Sequence, residues 1–459
     1  MKQNLSLYLH IPFCVRKCLY CDFLSGPQSA DVQEQYVEAL CREIQETSPE
    51  YREFQVVSVF IGGGTPSVLQ PEQTVRIMET VKHCFVLTDT CEISMEMNPG
   101  TVTPEKMRAY YACGINRISI GLQSANDKEL KALGRIHTYA DFLKAYEMAV
   151  EAGFTNINVD LMSAIPEQTM DSYQETLQKV LALQPQPAHI SAYSLIVEEG
   201  TPFYEQELNL PDEDTERRMY EITDDILRKA GYHRYEISNY AKEGKECLHN
   251  KVYWQRGNYL GLGIGSASLI WNVRFHNVRD ILSYVNLMWG GNEQSIVRKG
   301  NIEKDCVEES NTGKSNTGKS NTGKNNIEKN DMESGNAACS DKNMNERLKK
   351  IREEVQELPV EEQMEEFMFL GLRMMEGVSE RKFYENFGRR FEEVFPGVIE
   401  KHEKLGLLEV TGEEEGKMRE ESGSMEKCQE NQQGKPFVRL RLTSHGIDVS
   451  NQVFVDFML

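Results

Sequence analysis

No stretch of this sequence approaches the roughly 20 apolar residues that a bilayer-spanning helix needs. Residues 1–30 hold neither a charged-then-apolar leader pattern nor an uninterrupted apolar run. A transmembrane segment and a secretory leader are therefore not expected, and the chain reads as cytoplasmic. Positive charge is short as well: 51 Lys and Arg face 72 Asp and Glu, for a formal net charge of −21. Non-specific nucleic-acid binding depends on Lys and Arg neutralising phosphates, so no nucleic-acid partner is expected. Regular cysteine pairing is also missing. Eleven is an odd count, and a reducing compartment would keep most of these residues as thiols. Cys41, Cys84, Cys91 and Cys113 lie in or beside apolar periodic stretches and read as small core residues. Three others crowd within eight residues near the N-terminus, and these need a different explanation.

What is present is a repeating pattern. At 459 residues the chain can bury one large domain and one small one. Six short β-rich runs, at 5–11, 56–61, 92–97, 117–122, 156–162 and 189–196, alternate with stretches of helical periodicity. The helical stretches are 32–47, 71–84, 104–113, 139–152, 171–183 and 213–230, with Pro71 and Pro104 at helix starts. Such alternation implies parallel strands joined by helical crossovers. Six units are fewer than the eight of a closed barrel. The expected fold is therefore α/β, a partial (β/α)6 barrel over residues 1–235, with its chemistry on the loops that follow the strands. Residues 236–300 are expected to pack on it as an extension.

The texture then changes. Residues 311–324 read NTGKSNTGKSNTGK, a polar repeat that cannot bury a core, so 301–345 is expected to be a disordered insertion. Residues 346–459 read as helices at 361–375, 379–387 and 391–405, then strands at 407–410 and 437–442 flanking a polar stretch, 413–435. Three helices and a hairpin suggest a small α+β, winged-helix-like domain with an overgrown wing loop. Its acidity favours packing or partner docking over DNA binding.

The crowded cysteines stand in Pro12-Phe13-Cys14-Val15-Arg16-Lys17-Cys18-Leu19-Tyr20-Cys21, directly after the first strand. In C-x3-C-x2-C spacing, three thiolates on a tight loop can each ligate one iron of a [4Fe-4S] cube. The fourth iron then stays open, and the amino and carboxylate groups of S-adenosylmethionine (SAM) can chelate it. An electron from the cluster can then break the sulfonium bond and release a 5′-deoxyadenosyl radical. Structural zinc is the alternative, but it wants four ligands and usually a second C-x-x-C or His group downstream. No such group appears. After the second strand comes Gly62-Gly63-Gly64-Thr65-Pro66, where glycines let backbone approach a ligand. Glu96, Gln123, Arg135 and Asp160 lie on or just beyond the next strands. Carboxylates and amides suit ribose hydroxyls, and Arg suits a carboxylate. Taken singly, each could be an ordinary polar residue at a strand end.

Tyr8-x-His10-Ile11-Pro12-Phe13-Cys14, leading into the cysteine spacing, resembles the radical SAM family of oxygen-independent coproporphyrinogen III dehydrogenases and their HemW-type haem-chaperone relatives. The resemblance runs from about residue 5 to 290 and resumes near 358. It implies a [4Fe-4S] cluster on Cys14, Cys18 and Cys21. It also implies SAM contacts from Tyr8, Gly63, Gly64, Thr65, Glu96, Gln123, Arg135 and Asp160. No residue is assigned a catalytic role.

Two departures count against the dehydrogenase branch. In that branch a fourth cysteine follows the third at C-x-C spacing, where this chain has Phe23, and a sizeable extension precedes the cluster, where this chain has 13 residues. Cys247-Leu248-His249-Asn250-Lys251-Val252-Tyr253-Trp254 contains H-N-K-x-Y-W and resembles the chaperone branch. His249 can ligate haem iron, Tyr and Trp can stack on a porphyrin, and Asn or Lys can meet a propionate. Cys247 is a second candidate ligand. The family often has a Gly-Ala-His stretch shortly afterwards, and Ala267 stands here where that His would be. The expected activity is haem binding and delivery to an acceptor protein, which can be a membrane protein, with an electron donor as a further partner. The alternative is the SAM-dependent oxidative decarboxylation of coproporphyrinogen III. A third reading, an enzyme acting on an unrelated substrate such as a tRNA base, is disfavoured by the net acidity.

Overall fold

The structure, a computed structural model, describes residues 2–290, 340–413 and 436–459. Strands β1 (Gln3–Ile11), β2 (Phe54–Gly63), β3 (Leu87–Met97), β4 (Arg117–Gln123), β5 (Ile157–Ser163) and β6 (His189–Ser194) lie parallel and side by side in chain order. Helices α1 (Ala30–Thr47), α2 (Pro71–Cys84), α3 (Pro104–Ala112), α4 (Asp127–Ala132), α5 (Tyr139–Glu151) and α6 (Met170–Leu181) connect them, and α7 (Glu213–Lys229) follows. The helix starts are written locally. Ser29, Thr103, Thr138, Thr169 and Asp212 each accept a first-turn backbone N–H, a cap worth about 1 kcal/mol.

Alternation along the strands divides the sheet into two faces. Leu5, Leu7, Leu9 and Ile11 of β1 are fully buried in the core between sheet and helices, and each contributes roughly 1.5–3 kcal/mol by burial. The opposite, concave face carries Tyr8, Glu96, Ser119, Asn158, Asp160 and Ser191, all on the wall of one cavity. Register sets Glu96 beside Ser119, Ser119 beside Asn158, and Asp160 beside Ser191. The partial barrel thus has an apolar outside and a polar inside.

The sheet extends beyond six strands. Antiparallel β8 (Asn239–Ala241) and β7 (His233–Glu236) add to β6. Helix α8 (Leu248–Trp254) leads to β9 (Tyr259–Leu262), which pairs parallel with β1. Beyond it come β10 (Ala267–Ile270), β11 (Val273–Asn277) and, across the gap after α9 (Ile281–Trp289), α10 (Ser340–Ile351) and β12 (Arg352–Glu357). Among the described residues the sheet therefore has twelve strands, with β12 and β7 at its edges. The added strands are three to six residues long, too short for period-2 patterning to reveal. The insertion expected at 301–345 lies outside the described residues except for its last six, which open α10.

The C-terminal region holds α11 (Val360–Gly371), β13 (Val378–Ser379), α12 (Glu380–Phe387), α13 (Phe391–Val394), α14 (Val398–Lys404), β14 (Leu408–Gly412) and β15 (Val438–Leu442). Its strands form an antiparallel sheet in the order β13-β15-β14 over a core that includes Met364, Phe383, Phe391, Phe395 and Leu440. The single helix expected over 391–405 is two, because Pro396 lacks an N–H and Gly397 sits at φ 74° before α14. Of the expected wing loop, 414–435 lies outside the described residues. Glu366 ties this region to the barrel extension by pairing with Arg256 at 2.9 Å and Arg274 at 2.7 Å.

Candidate functional site

Parallel strands deliver the loops after them to one rim. All twelve site residues expected from the sequence line a single cavity of about 550 Å³ there. The cysteine loop leaves β1 and is held by reciprocal backbone bonds: Cys14 N–H donates to Gly26 and Gly26 N–H to Pro12, each at 3.0 Å. The turn after β2 closes on it from the side, with Gly64 N–H donating to Ile11 and Thr65 N–H to Phe13. The glycines here are required by space. A Cβ on Gly64 would come within 2.6 Å of the Phe13 carbonyl and 3.0 Å of Cys14 Sγ. Gly63 sits at φ 114°, and a Cβ there would run into the His10 ring at 2.6 Å.

Among the described residues, two side-chain donors face the cysteine sulfurs. Thr65 Oγ1 lies 3.5 Å from Cys14 Sγ, and Arg135 Nη1 lies 3.7 Å from Cys18 Sγ. Burial works against the charge on Arg135, but Tyr20 and Cys18 beside it outweigh that and keep it cationic. Its other nitrogen donates to Asn98 Oδ1 at 2.7 Å and to the Gly121 carbonyl at 2.5 Å, while Asn98 Nδ2 donates to Thr65 Oγ1 at 2.7 Å. Asn98 thus links the glycine turn to the arginine. It stands within the Glu96-Met97-Asn98-Pro99 run, and its role follows from the turn after β3 rather than from its type. Gln123 ends β4 at φ 73°, a conformation that costs a non-glycine residue energy, and Tyr193 on β6 donates to its Oε1 at 2.9 Å.

The carboxylates are the unusual part. Asp160 accepts from Asn158 Nδ2 at 2.7 Å and Ser119 Oγ at 3.2 Å, yet burial holds its carboxyl above the usual range. Among the described residues Glu96 accepts only the Gly63 N–H, at 3.1 Å. Burial, then the neighbouring Asp160, push it up to about 8. A buried carboxyl with spare lone pairs, beside a glycine turn, is what hydroxyl or ammonium donors of a ligand would satisfy.

These observations test the fit to a cluster and SAM, and the residues fit both. Three thiols on one loop, two hydrogen-bond donors aimed at their sulfurs, and a side-chain-free notch at Gly64 suit a sulfur-bound inorganic cluster. The under-bonded Glu96 and the strained Gln123 suit a polar ligand beside it. Among the described residues, no three His, Cys, Asp or Glu side chains converge as ligands of one metal ion would. Thiolates that each hold a different iron need not do so.

Helix α8 forms the opposite wall. His249, Asn250 and Tyr253 line the cavity, whereas Trp254 turns away to stack under Arg373, 4.3 Å from its ring centre. His249 is buried; Ser58 Oγ lies 3.0 Å from its Nδ1, and Tyr253 Oη 2.8 Å from its Nε2. Burial first, then Arg117, push it down to about 3. The ring is therefore neutral, the form that ligates iron, and Nε2 must exchange Tyr253 for a metal to do so. Cys247 is wholly buried and lies 3.4 Å from Glu92 Oε1, its thiol pushed up to about 12 mainly by burial, so it sits in the packing rather than in the cavity. Glu92 was not apparent from the sequence. It accepts the backbone N–H of Leu248 at 3.0 Å and of His249 at 3.3 Å, so β3 anchors the start of the helix that carries His249.

Comparison with known proteins gives the family. The Radical SAM superfamily matches residues 8–180, and the HemN C-terminal domain matches residues 358–414. The chain is thus a radical SAM protein, a class whose members carry a [4Fe-4S] cluster and SAM. The solved structure of coproporphyrinogen III oxidase (HemN) from Escherichia coli shares the fold, with TM-score 0.72 and 19% identity, over 100% of this chain and 90% of that one. Heme chaperone HemW of Bacillus subtilis is 33% identical over 408 residues, 88% of this chain and 92% of that protein. Heme chaperone HemW of Lactococcus lactis is 30% identical over 99% of this chain and 97% of its own. Within the radical SAM class, the chain belongs to the HemW family.

Proposed function

We propose that this protein is a haem chaperone that carries a [4Fe-4S] cluster and SAM, binds haem and passes it to an acceptor protein. The observation that carries this reading is the placement of His249, Asn250 and Tyr253 in the wall of the same cavity that Cys14, Cys18 and Cys21 border. Family membership supports it, because the relatives are named for haem chaperone activity. Cys14, Cys18 and Cys21 would hold the cluster. Glu96, Gln123, Arg135 and Asp160 would orient SAM, with Gly63 and Gly64 admitting its backbone-facing groups and Tyr8 closing the base of the site. A cluster held by these cysteines would supply the electron that reduces SAM.

The protein's own residues set how haem would be received. His249 is neutral and anchored through Ser58 and Glu92, so its ring direction is fixed before ligand arrives. Tyr253, hydrogen-bonded to Nε2, is the group that iron would displace. Phe23 and Ile196, 60% and 70% exposed at the cavity mouth, offer apolar contact to a planar macrocycle. Phe23 also occupies the position where the dehydrogenase resemblance calls for a cysteine. Haem titration of the reconstituted protein, alongside an anaerobic assay with SAM, reductant and coproporphyrinogen III, tests the reading. Stoichiometric haem binding without protoporphyrinogen formation supports the chaperone. Turnover of coproporphyrinogen III would instead make the protein a dehydrogenase.

A further inference from the structure

The main cavity adjoins a second compartment of about 410 Å³, and Tyr8, Gly63, Glu96, Phe23 and Tyr253 belong to the walls of both. The second compartment is built by the strand extension that the sequence pattern did not reveal. Tyr259 opens β9, Ala267 opens β10, and Arg279 follows β11. Its aromatic walls, Phe23, Tyr253 and Tyr259, suit a flat ligand. Ala267 is exposed and carries only a methyl group, which leaves the space open.

Arg279 is the distinctive group. Its exposed guanidinium lines the compartment, and it meets no carboxylate and donates no side-chain hydrogen bond among the described residues. Its neighbour Asp280 is occupied at the start of α9, accepting from Ser283 N–H at 2.7 Å. Two acidic groups share the compartment, Asp22 on the exposed cluster loop and Glu96 at the back. Glu96 accepts the Gly63 N–H at 3.1 Å and forms no ion pair with Arg279 among the described residues. On a chain of net charge −21, the long-range field repels an anionic ligand. An arginine at an aromatic slot, without a partner among the described residues, is then the place where a carboxylate arm of such a ligand gains most.

We infer that this compartment seats one edge of a tetrapyrrole and that Arg279 pairs with a carboxylate substituent on that edge. The inference rests on the haem reading given above and adds to it the group that recognises the ligand's acidic side. Haem and its dimethyl ester separate the two contributions, since the ester keeps the macrocycle and iron but has no carboxylate. Both are titrated by absorbance into the full chain and into Arg279→Ala, Arg279→Lys and Ala267→Trp. Arg279→Ala is expected to bind haem about five- to tenfold more weakly than the parent, as loss of one partly exposed charge-assisted pair implies. Its ester affinity should be unchanged. Arg279→Lys should recover part of the haem affinity, and Ala267→Trp should weaken both ligands by filling the slot. Unchanged haem affinity in Arg279→Ala, or an equal loss for haem and ester, would overturn the assignment. If the parent binds neither ligand, the haem reading itself fails, which is a different result from a parent that binds haem and an Arg279 variant that binds it equally well.

Discussion

Glu96 should destabilise the SAM-free protein at the pH where it works, and Glu96→Gln should therefore raise the melting temperature. Its carboxyl stands at about 8 in the folded state against an ordinary 4.5, because burial and Asp160 oppose the charged form. A carboxyl raised on folding binds its proton more tightly in the folded state than in the unfolded one. Its contribution to stability is therefore complete below pH 4.5 and is lost as pH rises through 8. Taken alone, the difference between those values corresponds to a ceiling of about 5 kcal/mol at 1.36 kcal/mol per pH unit. The carboxyl faces a cavity open to water, which lowers the cost of charging it, so about 2 kcal/mol at pH 8.5 is the working figure. Glutamine has nearly the same shape, keeps an oxygen for the Gly63 N–H and never ionises. Thermal melts of the SAM-free protein should show the variant roughly 2–4 °C above the parent at pH 8.5. Near pH 4.5 most of that gap should vanish. The variant should also bind SAM more weakly, since its amide replaces an acceptor oxygen with a donor. A variant that melts below the parent at pH 8.5, or by the same offset at both pH values, would refute the reasoning.

Cys18→Ser should remove the brown chromophore and most of the iron from reconstituted protein; a full iron load would dismiss the cluster assignment. His249→Ala should weaken haem binding and alter the Soret band, and an unchanged titration would leave α8 a packing element. Glu92→Gln should loosen the start of α8 and reduce haem affinity by a smaller factor while cluster content stays normal; equal affinity would show that the helix holds its place without the carboxylate. Tyr284 donates to the buried Glu43 at 2.5 Å, and Glu43 also accepts Gly263 N–H and Asn277 Nδ2. Tyr284→Phe should cost about 1–2 kcal/mol in denaturant unfolding by leaving that carboxylate short of a donor, and a neutral effect would mean that the other two donors suffice.

The local chemistry of this protein was legible in the chain. The C-x3-C-x2-C spacing follows one apolar strand, Gly62-Gly63-Gly64 follows the next, and Pro71 and Pro104 mark helix starts. Each of these features acts over fewer than a dozen residues, so neighbours in sequence are neighbours in space. The six parallel strands were legible for the same reason, because their alternating apolar positions must face a common core.

Contacts between distant residues were not legible. Asn98 joins Thr65 to Arg135, and Glu92 holds the backbone of Leu248 and His249 across more than 150 positions. Neither residue stands in a pattern that announces the bond. The added strands β9 to β12 exist because β1 and then each added strand leaves backbone groups to pair, and β12 arrives from beyond residue 340. Nor does the H-N-K-x-Y-W run show which of its side chains meets the cavity: the turn of α8 sends His249 and Tyr253 inward and Trp254 to Arg373. The sequence by itself determined which groups could hold a cluster and where the strands lie, since both depend on local spacing. Tertiary structure alone decided that Glu96 is buried beside Asp160 and that Arg279, at an aromatic slot, has no partner among the described residues. Burial and charge pairing depend on which distant segments the sheet brings together, and no local pattern encodes that.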